Sequence, residues 1–375
     1  MNVLMTLSNP FTNDPRVYNE AKSLGDAGHD VTILAWDKNK QYPNKQIINN
    51  IYIIRNYNTK IINIIPYNIM RLPFWWRKTY RDALKIFEKK HINTVHCHDL
   101  DTLRIGFWLK KKKGCKLIYD SHEIWPYMIE GEVPDIIVKL FLSLERKMLK
   151  SVDRIITVGR ASKDYFKKIS DKPIDIIMNC KNLIYKDYQG TNNSDFTLIY
   201  IGSMSNKRFF PNIVDVVGNI KKTKLILASA NTGEIYELIK KRCTLYENTN
   251  FLGKIPEEEL LPRTRSADAT FILVDPTNKH YRHTLFNKQF EAMVCGRPII
   301  VTNNTYAAEM TKELDCGLTV DYNKESIREN IIKLRDNPDL CKRLGLNAFR
   351  NAKDKYNWNL EKKKLLKIYE MLNND

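Results

Sequence analysis

Short apolar runs alternate with longer amphipathic stretches along the whole chain, and this alternation restricts the fold more than any single residue does. "NVLMTLS" (2–8) precedes the helical pattern "DPRVYNEAKSLGDAG", which Gly28 ends ahead of the strand "HDVTILAW". "IYIIRN", a helical stretch after Pro66, "TVHCHD", the helix "LDTLRIGFWLKKKKG", "KLIYDSHE", a helix near 135–150 and "RIITVG" continue the series. Strands separated by helices of this length pair in parallel through crossovers, so the pattern predicts a doubly wound α/β domain. The periodicity lapses over "KNLIYKDYQGTNNSD" (181–195), which has the composition of a linker, and restarts at "FTLIYIGSM". The chain has 375 residues, more than the roughly 250–300 that one core supports. Two Rossmann-like domains are therefore expected, 1–185 and 190–355, facing across an interdomain cleft. The final helix within 356–375 carries an apolar stripe that includes Leu360, Leu365, Ile368, Tyr369 and Leu372, and is expected to dock back on the first domain.

Charge narrows the partners. The formal net charge is +18, and residues 1–190 hold 32 Lys and Arg against 20 Asp and Glu, a net of +12 gathered between Arg55 and Lys116. Such a balance predicts an anionic partner: a phosphorylated small molecule, an acidic membrane surface or nucleic acid. Nucleic acid is set aside, because no helix-turn-helix, zinc-finger or RNP pattern accompanies the charge. "RLPFWWRKTYRDALKIFEKK" interleaves Phe74, Trp75, Trp76 and Tyr80 with Arg71, Arg77, Lys78 and Arg81. Two readings are open: residues 66–90 lie in an anionic membrane interface, or they form a solvated helix whose tryptophans anchor it to the core. No window holds the ~20 continuous apolar residues of a membrane span. The amino terminus also lacks a basic n-region and a cleavage site, so the chain is expected in the cytoplasm, peripheral on the inner membrane face at most. Seven scattered cysteines without a C-x-x-C pair predict reduced, mostly buried thiols.

The stretch "HTLFNKQFEAMVCGRPIIVTNN" (283–304) is chemically the most specific. A helix entered at Phe286 and Asn287 has unpaired first-turn amides and a positive dipole end, a seat for a diphosphate to which Lys288 adds a full charge. Glu291 lies one turn on, where a carboxylate can accept both hydroxyls of a ribose. The same residues also fit a surface helix with a routine Lys and Glu. "VHCHD" puts His96 and His98 on one strand face. At the strand's end, His98 meets either a ligand or the backbone of a packed rim. Asp99 and Asp101 are helix caps or acceptor-side carboxylates. "YDSHE" sets Asp120, His122 and Glu123 at the next strand end, with His122 toward an acceptor and Asp120 either orienting it or satisfying loop amides.

"FNKQFEAMVCGRPIIVTN" closely resembles the nucleotide-sugar-binding helix of glycosyltransferase family 4, retaining enzymes of the GT-B fold. "NDPRVYNEAKSLGDAGHDVTIL", "HCHDLDTL", "YDSHEIWPYM", "YIGSMSNKR" and "NTNFLGKIPEEELLP" resemble other family segments in the family's order, so the resemblance spans nearly the whole chain. It implies transfer of a sugar from a nucleotide-diphosphate sugar to a glycan, lipid-linked or other hydroxyl acceptor, in surface polysaccharide or glycoconjugate synthesis. The first domain would take the acceptor and the second the donor. By position, the resemblance implies that Glu291 binds ribose, that Gly202 and Ser203 open the phosphate loop, that Arg208 with Lys207 neutralises the diphosphate, and that His98 lies next to the transferred sugar. Two departures stand out. His283 occupies the place of a Glu that contacts the donor sugar in many members, and Ser203 that of an Arg. The sugar's identity therefore does not carry over, and diphosphate binding rests on Lys207, Arg208 and Lys288. Because basic residues and helix amides can stabilise the departing charge, neither a metal nor another cofactor is expected. Among rivals, a nucleotide-sugar epimerase of the same fold needs catalytic carboxylates that are not evident. A metal-dependent hydrolase, suggested by "HCHDLD" and "DSHE", lacks a third ligand group of fitting spacing. A non-enzymatic anion-binding protein would rest on charge alone.

Overall fold

The computed structural model describes residues 1–12, 14–59, 65, 68–230 and 232–374. It divides into one unit of Met1–Met178 together with the segment from Glu361, and a second of Asn179–Leu360. The changeover precedes the 181–195 stretch, which belongs to the second unit.

The first unit carries β1 (Asn2–Leu7), β2 (Asp30–Asp37), β3 (Lys45–Ile48), β4 (Ile51–Tyr57), β5 (Thr94–His98), β6 (Lys116–Ser121), β7 (Arg154–Thr157) and β8 (Ile174–Ile176). They line up as β3-β4-β2-β1-β5-β6-β7-β8, parallel throughout except for the antiparallel edge pair β3 and β4. Residues buried on both sheet faces read as apolar runs, and every residue of β5 and β7 is buried. β3 is absent from the sequence expectation because its residues alternate between exposed and half-buried and form no such run. Its one signal is Asn49-Asn50, both at positive φ (48° and 65°), the pair a two-residue hairpin turn prefers. β8 was also missed, a three-residue strand directly after Pro173.

In the second unit, β9 (Phe196–Ile201), β10 (Thr223–Ala228), β11 (Thr249–Phe251), β12 (Ala269–Ile272), β13 (Ile299–Thr302) and β14 (Gly317–Val320) line up as β11-β10-β9-β12-β13-β14, all parallel. Strand order reverses between β1 and β5 in one sheet and between β9 and β12 in the other. Open α/β sheets bind ligands beyond the strands' carboxyl ends at that reversal. His98 closes β5 there, and Gly202 follows β9.

The basic-aromatic segment settles between its two readings. Pro66 and Tyr67 lie outside the described residues, and the helix runs Asn68–Lys90. Trp75 and Trp76 are 1% and 8% exposed. Trp75 stacks on Trp36 at 4.4 Å, and its Nε1 donates to Asn56 Oδ1 at 3.2 Å. Trp76 Nε1 donates to the Asp101 carbonyl. The tryptophans are core residues and are not available as the lipid anchors of the interfacial reading, because both are buried in the first unit's hydrophobic core. What this helix exposes is a different stripe, Met70, Phe74, Arg77, Arg81 and Lys85, spaced three to four residues apart. Among the described residues, no helix is long and apolar enough to cross a membrane.

The last helix, Trp358–Asn374, buries Leu365, Ile368, Tyr369 and Leu372, and from Glu361 onward it is part of the first unit. Glu361, fully buried, accepts from the Met178 amide at 2.9 Å. Six cysteines are buried and Cys341 is half-buried, all as free thiols.

Candidate active site

In the second unit, the helix Asn287–Cys295 starts at Phe286 with no side chain capping it, leaving its first amides for a ligand. It ends at Gly296, whose φ of 65° favours glycine and where a Cβ would lie 2.8 Å from the Tyr188 ring; the Gly-Arg-Pro stop in the sequence reflects that left-handed turn. Lys288 extends from the first turn across Gly202, where φ is 149° and any Cβ would lie 2.8 Å from Lys288 Nζ. The ammonium sits 4.3 Å from the centre of the Tyr200 ring and 3.9 Å from Glu291 Oε2. Arg208, in the short turn Asn206–Arg208, lies over the rings of Tyr281 and Phe286 at 5.5 and 5.6 Å. Its Nη1 is 3.4 Å from both the Tyr200 hydroxyl and the Ser203 carbonyl. Glu291 is 7% exposed, and its Oε1 is 3.2 Å from Lys181 Nζ.

Lys181 and Lys288 thus flank one carboxylate, and with Arg208 near Lys288 the local excess is positive. Burial, with Arg208 and Lys181 nearby and only Glu291 opposing, lowers Lys288 to about 8. Burial, then Arg208 and Lys207, lowers His280 to about 4. Lys207 is exposed beside Arg208, Asn287 and Ser203 are exposed, and Phe286 is a packed side chain whose backbone begins the helix. His283 closes the helix Lys279–His283, with Nδ1 2.8 Å from the Lys279 carbonyl.

In the first unit the sheet itself gathers the predicted group. His96 and His98 share a face of β5 and stack at 4.5 Å, and Asp120 on β6 pairs in register with His98. His98 Nδ1 is 3.1 Å from His122 Nε2 and 3.5 Å from Asp120 Oδ2; His122 Nε2 is 3.4 Å from the same oxygen. Asp99 was expected as a possible helix cap. It precedes the helix Leu100–Lys113 without capping it, and its Oδ1 instead accepts from the His122 amide at 2.9 Å. His98 is 1% exposed, whereas the His122 side chain keeps 15% of its surface, so His122 is the more accessible ring. Burial, then the neighbouring His96, lowers His98 to about 3. For His122 burial acts downward, but Asp99 and Asp120 outweigh it and raise the group to about 10. Asp120 is held well below the usual carboxylate range, because Arg16 and His122 overcome the upward push of burial.

Models of two families match consecutive stretches of the chain: Glycosyltransferase Family 4 over residues 16–183 and Glycosyl transferases group 1 over residues 184–351. The chain is a family 4-like glycosyltransferase. The transferase is 25% identical over 346 residues to an uncharacterized glycosyltransferase of Methanocaldococcus jannaschii, covering 87% of this chain and 86% of the relative. Among solved structures, sucrose-phosphate synthase from Thermosynechococcus elongatus superposes with a TM-score of 0.81 at 16% identity, over 100% of both chains. Anabaena HepE in complex with UDP-glucose gives 0.73 at 12% identity, over 99% of this chain and 100% of that one. WaaG, a glycosyltransferase involved in lipopolysaccharide biosynthesis, gives 0.70 at 14%, over 97% and 98%. At these identities the likeness establishes the GT-B fold of the transferase.

Three charged residues of the transferase escaped the sequence reading. Lys181, placed in a linker, meets Glu291. Arg16 and Glu20, one turn apart in the helix Pro15–Asp26 after β1, are 5% and 0% exposed and face Asp120 and the histidines. Their signal was faint: charged residues four apart at helix positions that the amphipathic pattern assigns to the core.

Proposed function

We propose that the transferase moves a sugar, with retention, from a nucleotide-diphosphate sugar held by the second unit to a hydroxyl acceptor bound by the first. The observation that carries this is the placement of Lys288 over Gly202 beside Arg208, at the uncapped start of the helix Asn287–Cys295. Backbone amides and fixed cations aimed at one point stabilise the charge that builds on a departing diphosphate, as sugar transfer through an oxocarbenium-like state requires. Glu291, one turn on, keeps acceptor capacity for ribose hydroxyls while Lys181 and Lys288 hold its position. His122, the more accessible ring, would meet the acceptor's hydroxyl with His98 and Asp120 buried behind it, and no metal is needed at the diphosphate. HepE, whose complexes contain UDP and UDP-glucose, supports a nucleotide-sugar donor, and WaaG supports a glycoconjugate setting.

Thermal-shift screening against nucleoside diphosphates and their sugars tests the reading. A ligand at 100 times its dissociation constant should stabilise the protein by ~2.7 kcal/mol. Glu291→Ala should erase the preference for ribo- over deoxyribonucleotides, and unchanged discrimination would refute the ribose assignment.

An anionic membrane surface as the acceptor's setting is supported by the exposed stripe in which Met70 (54%) and Phe74 (47%) precede Arg77, Arg81 and Lys85. Sedimentation with anionic vesicles should fall on changing Met70 and Phe74 together to Ser, and equal sedimentation would remove the membrane from the proposal.

A further inference from the structure

We infer that Glu20, His96, His98 and Asp120 form a closed site for one divalent transition-metal ion of the zinc type. All four come from the first unit. The site does not depend on the proposed donor, and it supplies the third ligand group whose absence from the sequence set a metal centre aside. The fold makes the donors converge. Alternate residues of β5 share a face, in-register Asp120 on β6 joins them, and the helix Pro15–Asp26 that follows β1, neighbour of β5, lays Glu20 over that face.

The geometry suits four-coordination. Asp120 Oδ2 is 3.5 Å from both His96 Nε2 and His98 Nδ1, and Glu20 Oε2 is 3.9 and 4.0 Å from the same nitrogens. One donor atom from each residue lies within 4.8 Å of all the others. A tetrahedron with metal bonds of about 2.0–2.1 Å has edges of about 3.3–3.4 Å, so the two Asp120 contacts already match it and the wider separations must close on binding. All four side chains are fully buried, yet both Glu20 oxygens and His96 Nε2 lack a hydrogen-bond partner among the described residues. Leaving such groups unmatched costs about 1–3 kcal/mol each. A proton would satisfy one of these atoms; a metal ion takes up a donor from all four residues.

The surroundings match a metal's outer shell. The Tyr369 hydroxyl lies 2.8 Å from His96 Nδ1, where it can accept the ring N–H when Nε2 serves as a ligand. Arg16 holds Asp120 in a fork, Nη2 to Oδ1 at 2.7 Å and Nε to Oδ2 at 3.2 Å, and its Nε is 3.2 Å from Glu20 Oε1. His122 Nε2 is placed to donate to Asp120 Oδ2. The carboxylates of Glu20 and Asp120 face one guanidinium, Arg16, while Asp99 pairs with His122. Two imidazoles and two carboxylates in a closed tetrahedron favour zinc over calcium or magnesium, which take six or more oxygens. The ion would fix His98 and tie the helix Pro15–Asp26 to the strand ends.

Elemental analysis of the full-length, untagged chain should find one zinc per molecule. Replacing it with cobalt after chelation should give the intense visible absorption of four-coordinate Co²⁺. Tyr369→Phe should weaken metal affinity about 10- to 100-fold while leaving the four ligands in place. Glu20→Gln, if folded by far-UV circular dichroism, should fall below stoichiometric metal. The assignment is overturned if folded wild type takes up neither zinc nor cobalt and its melting is indifferent to chelator. Metal retained at full stoichiometry in Glu20→Gln lies elsewhere and overturns it equally.

Discussion

Changing Lys288 to methionine should weaken nucleoside-diphosphate binding about 100-fold at pH 7, near the lower end of the 2–5 kcal/mol expected for truncating a buried charge pair. The substitution keeps an unbranched side chain, one atom shorter, over Gly202 and removes the charge, and Glu291 retains Lys181 as its partner. A pH dependence accompanies it, and its sign follows from the lowered value of Lys288, about 8, which burial imposes first. The ammonium form binds the phosphates, and a bound diphosphate returns the group toward its ordinary value. Affinity is therefore full below pH 8 and declines as pH rises through it, about tenfold between pH 7 and pH 9. Calorimetric titration with UDP at pH 7.0, 8.0 and 9.0 checks both statements. A Lys288→Met protein that binds as wild type does, or keeps the wild-type alkaline decline, would show that the diphosphate sits elsewhere.

Trp75→Ala should destabilise the first unit by about 3–5 kcal/mol, the range for removing a fully buried tryptophan. That is a large share of the 5–15 kcal/mol by which a domain is stable. The change removes the stack on Trp36 and leaves Asn56 Oδ1 without its indole donor. Phe74→Ser next to it, at an exposed position, should stay within about 0.5 kcal/mol. Urea unfolding followed by near-ultraviolet circular dichroism separates the two. If Trp75→Ala kept full stability and lost only vesicle binding, the tryptophans would belong to the lipid-facing side after all.

That contrast shows which kind of information the sequence holds. Strands buried on both faces announce themselves as apolar runs, so the doubly wound pattern of both halves was readable, while the edge strand Lys45–Ile48 was not. The grouping of Phe286, Lys288 and Glu291 was readable because the three lie within six residues at the start of one helix and meet through helix geometry alone. The interleaving of tryptophan with arginine could not say which side of its helix faces the sheet, since amphipathic composition is the same against a core or a lipid surface. The cluster around His98 was legible only in part. Arg16 and Asp120 meet across 104 residues because β1, β5 and β6 are neighbours, and strand order is a global property that no local pattern records.

The last helix has a consequence for how the molecule is made. Glu361 receives the Met178 amide, and Tyr369 reaches His96 from within the final turns of the chain. A ribosome that has delivered the entire second unit has still not released the pieces that finish the first. Until this helix has emerged, His96 in the amino-terminal sheet lacks its Tyr369 contact, so a premature stop before Trp358 would take support from the half of the protein that was synthesised earliest.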